Sequence, residues 1–188
     1  RKIDILFPAQ GGGEALKSAM DSLFEKAERH ISDGANILVM TDRHITKDRC
    51  AIPSLLAVSG LHHHLIRKGL RSSCGLILET GEAREVMHFS LLVAFGITAI
   101  CPYVAFSTVR EMAEQEYLVE KKDPEEATDA YISAVKKGLL KSFSRMGIST
   151  IRSFFGSQIF EAVGIDKSVI NEYFCDTASR IGGIGMEE

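Results

Sequence analysis

Ile37-Leu38-Val39-Met40-Thr41-Asp42-Arg43 is the stretch that decides the fold class. Four consecutive apolar residues end in a polar triplet. A run this short and this uniformly apolar suits a strand buried on both faces rather than an amphipathic helix. The same pattern recurs twice downstream. Gly75-Leu76-Ile77-Leu78 closes on Glu79-Thr80-Gly81, and Ile97-Thr98-Ala99-Ile100-Cys101 stops at Pro102. Between these runs the apolar spacing becomes helical. Leu55, Leu56, Val58, Leu61, Leu65 and Ile66 follow Pro53 and end at Gly69, while Val86, Phe89, Leu92 and Val93 end near Gly96. Strand and helix alternate at βαβ spacing, which predicts a parallel sheet with right-handed crossovers.

Upstream, Ile3, Ile5 and Phe7 alternate with other residues and predict a short strand or extended lead-in. Residues 8–13 read as a loop. A helix then begins at Glu14, with Leu16, Met20, Leu23, Phe24, Ala27 and Ile31 on its buried stripe and Gly34 as its stop. Downstream, residues 107–120 predict a helix. Asp123-Pro124-Glu125-Glu126 supplies an N-cap, a first-turn proline and two acids suited to the next helix start. That helix carries Ile132, Val135, Leu139, Phe143 and Met146 and ends at Gly147. Residues 157–163 predict a further short helix, and the glycine-rich residues 180–185 predict irregular chain. No repeat or low-complexity linker divides residues 1–188, so the expectation is a single α/β domain.

Composition narrows the function classes. The 188 residues are 45% apolar, enough for a real core, and the net charge of -3 comes from intermixed acids and bases. Such mixing argues against a nucleic-acid surface, and no apolar run reaches the length of a membrane span. Cys50, Cys74, Cys101 and Cys175 are widely spaced, without a C-x-x-C pair, and read as ordinary thiols in a reducing compartment. A cytoplasmic location is expected, with no metal site and no nucleic-acid or membrane partner. The non-Met first residue points to a cut end.

Parallel sheets hold ligands beyond the carboxyl ends of their strands. Here those ends carry Asp42, Arg43, Glu79, Thr80 and Tyr103, a candidate ligand edge. The competing reading is that polar residues end every strand as the chain meets water, with Asp42 and Arg43 merely organising a loop. Gly11-Gly12-Gly13 before a helix invites a phosphate site, but Leu16 occupies the third position of G-x-G-x-x-G, so a flexible loop is the better reading. Successive residues on a helix point about 100° apart, so His62-His63-His64 cannot converge on one ion. One of the three is expected to face the interior, with His88 a possible hydrogen-bond partner. No serine or cysteine sits in a nucleophile elbow. No catalytic residue is assigned.

Residues 34–43 together with Ile52-Pro53-Ser54-Leu55-Leu56-Ala57, His62-His63-His64-Leu65-Ile66-Arg67 and Glu79-Thr80-Gly81-Glu82-Ala83-Arg84-Glu85 resemble the glutamate synthase large subunit. Further collinear matches are Cys101-Pro102-Tyr103, Lys137-Gly138-Leu139-Leu140-Lys141, Ser144-Arg145-Met146-Gly147-Ile148-Ser149-Thr150, Gly156-Ser157-Gln158-Ile159-Phe160-Glu161-Ala162 and Ser179-Arg180-Ile181-Gly182-Gly183. Residues 1–33 match only loosely. The resemblance implies the later part of that family's central domain, with residues 147–188 leading toward the FMN domain. It implies a partial, rudimentary barrel of the FMN-oxidoreductase (TIM-like) type with extra C-terminal helices. It also implies a structural and ammonia-channelling role in making glutamate from glutamine and 2-oxoglutarate. FMN and an iron–sulfur cluster are expected in the full-length family enzyme rather than in this chain. The expected partners are the amidotransferase and FMN domains, and a homo-oligomer is possible. The alternatives are a stand-alone module that binds a small anionic metabolite and a degenerate flavin enzyme.

Overall fold

A computed structural model describes residues 1–187. Its centre is a four-stranded parallel sheet in the order β1 (Lys2–Asp4), β3 (Ile37–Thr41), β5 (Gly75–Glu79) and β6 (Ala99–Cys101). The predicted parallel α/β core is therefore present. The strands are added in chain order and never reverse direction across the sheet. Three helices occupy the crossovers: α1 (Gly12–Ser32), α2 (Ser54–Arg67) and α3 (Val86–Ala94). α2 packs against both α1 and α3. Leu38, Met40, Leu76 and Leu78 alternate along β3 and β5 and are fully buried. Their neighbours Val39 and Ile77 are only half-buried, as the period of two along a strand requires when one face is packed more deeply.

The lead-in is two strands rather than one. After β1, Leu6–Pro8 forms β2, which pairs antiparallel with β4 (Arg49–Ala51). The exposed polar sequence of β4 concealed it, because its order comes from its partner. The next helix, α4, spans Tyr103–Glu114 instead of 107–120. Pro102 sits at its N-cap, and Glu116 adopts a left-handed conformation (φ 57°) just beyond its end. α5 (Pro124–Arg145) begins as predicted. Asp123 Oδ1 accepts from the amides of Glu125 and Glu126, both at 2.9 Å, while Glu126 Oε2 accepts from the Asp123 amide at 3.4 Å.

Two expectations at the C-terminus are overturned. The helix predicted over 157–163 is absent. Instead α6 (Ile151–Phe154) precedes Gly156 and Gln158, both left-handed, and β7 occupies Glu161–Ile165. Left-handed residues interrupt helical hydrogen bonding, so the apolar residues after them extend. Residues 180–185 are not irregular, because β8 (Ala178–Ile184) pairs parallel with β7 across α7 (Lys167–Tyr173). A Cβ on Gly183 would collide with the Gly164 backbone, so glycine serves close strand approach there. Tyr173 of α7 is fully buried, and a Cβ on Gly60 of α2 would run into Met20, Tyr173 and Phe24. One hydrophobic cluster thus runs from Ile3 to Phe174.

Candidate functional site: a polar network at the strand ends

β3 and β5 end side by side in register, pairing Thr41 with Glu79. The residues just beyond them, Asp42 and Thr80, are both fully buried. Burying a carboxylate is costly unless donors within the fold replace the water it loses. Asp42 meets that condition. Its Oδ2 accepts from the Thr80 hydroxyl at 2.6 Å, and the Gly81 amide lies 3.0 and 3.2 Å from its two oxygens.

Thr80 has a single hydroxyl hydrogen, and it is given to Asp42. In the 2.7 Å contact between Thr80 and Ser54, the Ser54 hydroxyl must therefore be the donor. The Glu82 amide also donates to Thr80 Oγ1, at 3.1 Å, and Glu82 Oε2 accepts from the Ser54 amide at 2.8 Å. That last bond satisfies one of the free amides at the start of α2. The network thus ties β3, β5 and α2 into one unit.

Glu79 anchors the neighbouring half. It accepts from the Thr41 hydroxyl at 2.7 Å and pairs with Arg43 Nε at 2.7 Å and Lys2 Nζ at 3.3 Å. Burial alone would raise its pKa, but the bonds from Thr41, Arg43 and Lys2 overcome this and hold the carboxyl at about 2. The Arg43 guanidinium lies 4.1 Å from the centre of the Tyr103 ring. Burial and the Asp42 carboxylate push the Tyr103 phenol up to about 12. All five residues of the candidate edge therefore come together. Sequence reasoning missed Lys2, Thr41, Ser54 and Glu82. Thr41 could have been found, because it aligns with Glu79 once the two strands are paired.

The histidine run diverges as helix geometry demands. His62 Nδ1 accepts from Arg71 Nε at 2.9 Å, and burial together with the Arg71 charge lowers its pKa to about 4. His64 lies 2.6 Å from Glu28 and stacks on Phe24. His88 joins neither of them. It accepts from the Arg84 amide at 3.2 Å and sits 3.5 Å from Glu85.

Chemically, the strand-end network consumes its own donors and acceptors. It orients loops, and the hydroxyls that lie against its carboxylates, on Thr41 and Thr80, are buried. The four cysteines lie on β4, before β5, at the end of β6 and after α7, and among the described residues no three ligating side chains converge. This arrangement does not fit an iron–sulfur cluster.

A family model described as the glutamate synthase central domain matches residues 1–166. The chain belongs to the glutamate synthase central-domain family. It is 44% identical over 187 residues to the glutamate synthase [NADPH] large chain of Bacillus subtilis, covering 100% of this chain and 12% of that one. It is 40% identical over 197 residues to the ferredoxin-dependent glutamate synthase of Pyropia yezoensis, covering 100% and 13%. It is also 40% identical over 192 residues to the glutamate synthase [NADH] of Saccharomyces cerevisiae, covering 99% and 9%. The chain thus spans about an eighth or less of the length of these relatives. Among the described residues, no helix is long and apolar enough to cross a membrane.

Proposed function

We propose that this chain is the later part of a glutamate synthase central domain and acts as a scaffold for chemistry hosted by the amidotransferase and FMN domains. In this reading it helps wall the path of ammonia from glutamine to the site where 2-oxoglutarate becomes glutamate. Residues 147–188 lead toward the FMN domain, and FMN and the iron–sulfur cluster belong to neighbouring parts of the polypeptide. The sheet is a portion of a TIM-like barrel, a reading supported by strands β1, β3, β5 and β6 lying in chain order. The enzyme works in the cytoplasm.

The observation that carries this reading is the self-satisfied strand end. Asp42 and Thr80 sit where related folds place ligands, yet their bonds go to Gly81, Ser54 and Glu82. A rigid edge that binds nothing itself suits a wall, and sequestering a reactive intermediate requires a closed, water-free enclosure. The test is segment exchange. Placing residues 1–188 into the matching position of a full-length relative should preserve stoichiometric coupling of glutamine hydrolysis to glutamate formation. Uncoupled hydrolysis in the exchanged enzyme would sink the reading, as would turnover of both substrates by this chain alone. A thermal shift with 2-oxoglutarate, phosphate or FMN would favour the binding-module alternative.

A further inference from the structure

Residues 130–160 contain Lys136, Lys137, Lys141, Arg145 and Arg152 and no acid at all. Residues 107–129, immediately before, hold eight acids against three bases. Charge is therefore sharply sorted along α5, although the whole chain is nearly balanced. Among the described residues none of these five cations makes an ion pair or hydrogen bond. Lys137, Lys141 and Arg145 recur every four residues and line a shallow groove of about 790 Å³ along the helix, with Ala134, Gly138 and Leu140.

A solvated helix end that complements the dipole would explain cations in the last turn alone. It does not explain the apolar residues set among them. Leu140, between Lys137 and Lys141, is 65% exposed, Ile151 on α6 is 51% exposed and Met146 is 37% exposed. An exposed apolar side chain flanked by unpaired cations, with further exposed apolar residues just beyond the helix end, is the composition of an uncovered protein interface.

We propose that the C-terminal half of α5, continued through α6, docks an acidic, apolar-centred protein surface contributed by another domain of the same polypeptide. This rests on the reading above that the chain is one part of a longer glutamate synthase. Other occupants fit less well. A nucleic acid would meet the acids of residues 107–129 beside the patch, and no exposed aromatic side chain in the groove offers a stacking platform. An anionic membrane would meet the same acids. A second copy could pair α5 antiparallel with itself, acid half to basic half. A 22-residue helix offers only about 33 Å by 12 Å of face, roughly 400 Å² per side, about half of what a stable interface between separate molecules needs but within the range for tethered domains of one chain. The relatives place most of their length outside this segment, so a cognate acidic surface has ample chain to come from.

The test is lysine acylation of the full-length enzyme read by mass spectrometry, with each lysine's rate compared to the same residue in urea-unfolded enzyme. Lys137 and Lys141 should be retarded several-fold at any enzyme concentration. The triple variant Lys137→Glu, Lys141→Glu, Arg145→Glu should speed amide exchange at residues 148–151. A Leu140→Ser variant, which keeps every charge, should do the same more weakly. Unretarded labelling of Lys137 and Lys141 overturns the inference. So does retardation that appears only with added RNA or anionic vesicles, or only as enzyme concentration rises. Unretarded labelling in an enzyme that still couples its two half-reactions removes this inference alone. Lost coupling after segment exchange, with both lysines still retarded, removes the scaffold reading alone.

Discussion

The strand-end network and the basic face of α5 are both rich in charge and behave oppositely. At the strand ends Asp42, Glu79, Thr80 and Ser54 find their partners within the chain, and the carboxylates lie on backbone fixed by the sheet. On α5 the cations project from a helix whose own apolar face is already spent on α3 and α4, and among the described residues none of them has an ion-pair or hydrogen-bond partner. Desolvation makes the first region intolerant of change, whereas screening makes the second nearly free of consequence for folding. Charge that stabilises the fold and charge left for a partner can therefore be told apart by burial and by count of partners.

The largest effect that would break this contrast is Asp42→Ala. It strands the Thr80 hydroxyl and the Gly81 amide in a dry site, and should cost about 3 kcal/mol in urea unfolding. A loss under 1 kcal/mol would mean water reaches the network. Gly60→Val ranks next. Its side chain intrudes on Met20, Tyr173 and Phe24, an overpacking that should cost roughly 1–3 kcal/mol.

Acid should dissect the buried groups in two windows. His62 is depressed from 6.5 to about 4, so in that interval the unfolded chain binds more protons, and stability is lost as pH falls. Glu79 is depressed from 4.5 to about 2, so its contribution is present above 4.5 and disappears as pH drops toward 2. Unfolding free energies across pH should show His62→Gln flattening only the upper window and Glu79→Gln only the lower. A single undivided slope that survives both substitutions would contradict the assignment. The smallest effect is expected for Lys137→Glu, Lys141→Glu and Arg145→Glu together. Stability should move by no more than about 0.5 kcal/mol per site, because among the described residues these side chains touch no charged partner. A large loss would place them in the fold after all.

The parallel core was legible because β3, β5 and β6 come from short apolar runs separated by stretches of helical spacing, an alternation that fits βαβ units. The strand-end site was legible as a set of positions, since Asp42, Arg43, Glu79, Thr80 and Tyr103 all follow predicted strands. Its inward-turned chemistry was not legible, because Ser54 and Glu82 lie on different elements and meet only when α2 docks on the sheet. The errors at 157–163 and 180–185 have different origins: at 180–185 glycine was read as a mark of irregular chain, whereas Gly183 permits close strand approach, and at 157–163 the apolar pattern was ambiguous. A run such as Ile159-Phe160-Glu161-Ala162-Val163 satisfies helical and extended patterns about equally.

By itself, the amino-acid sequence determined the βα alternation, the start of α5 at Asp123 and the family resemblance, all of which rest on local order along the chain. Only the tertiary structure decided that β7 and β8 pair, that Asp42 is bonded by Thr80 and Gly81 and that the α5 cations have no ion-pair partner among the described residues. These are relations between residues distant in sequence, and they are fixed by packing geometry rather than by local propensity.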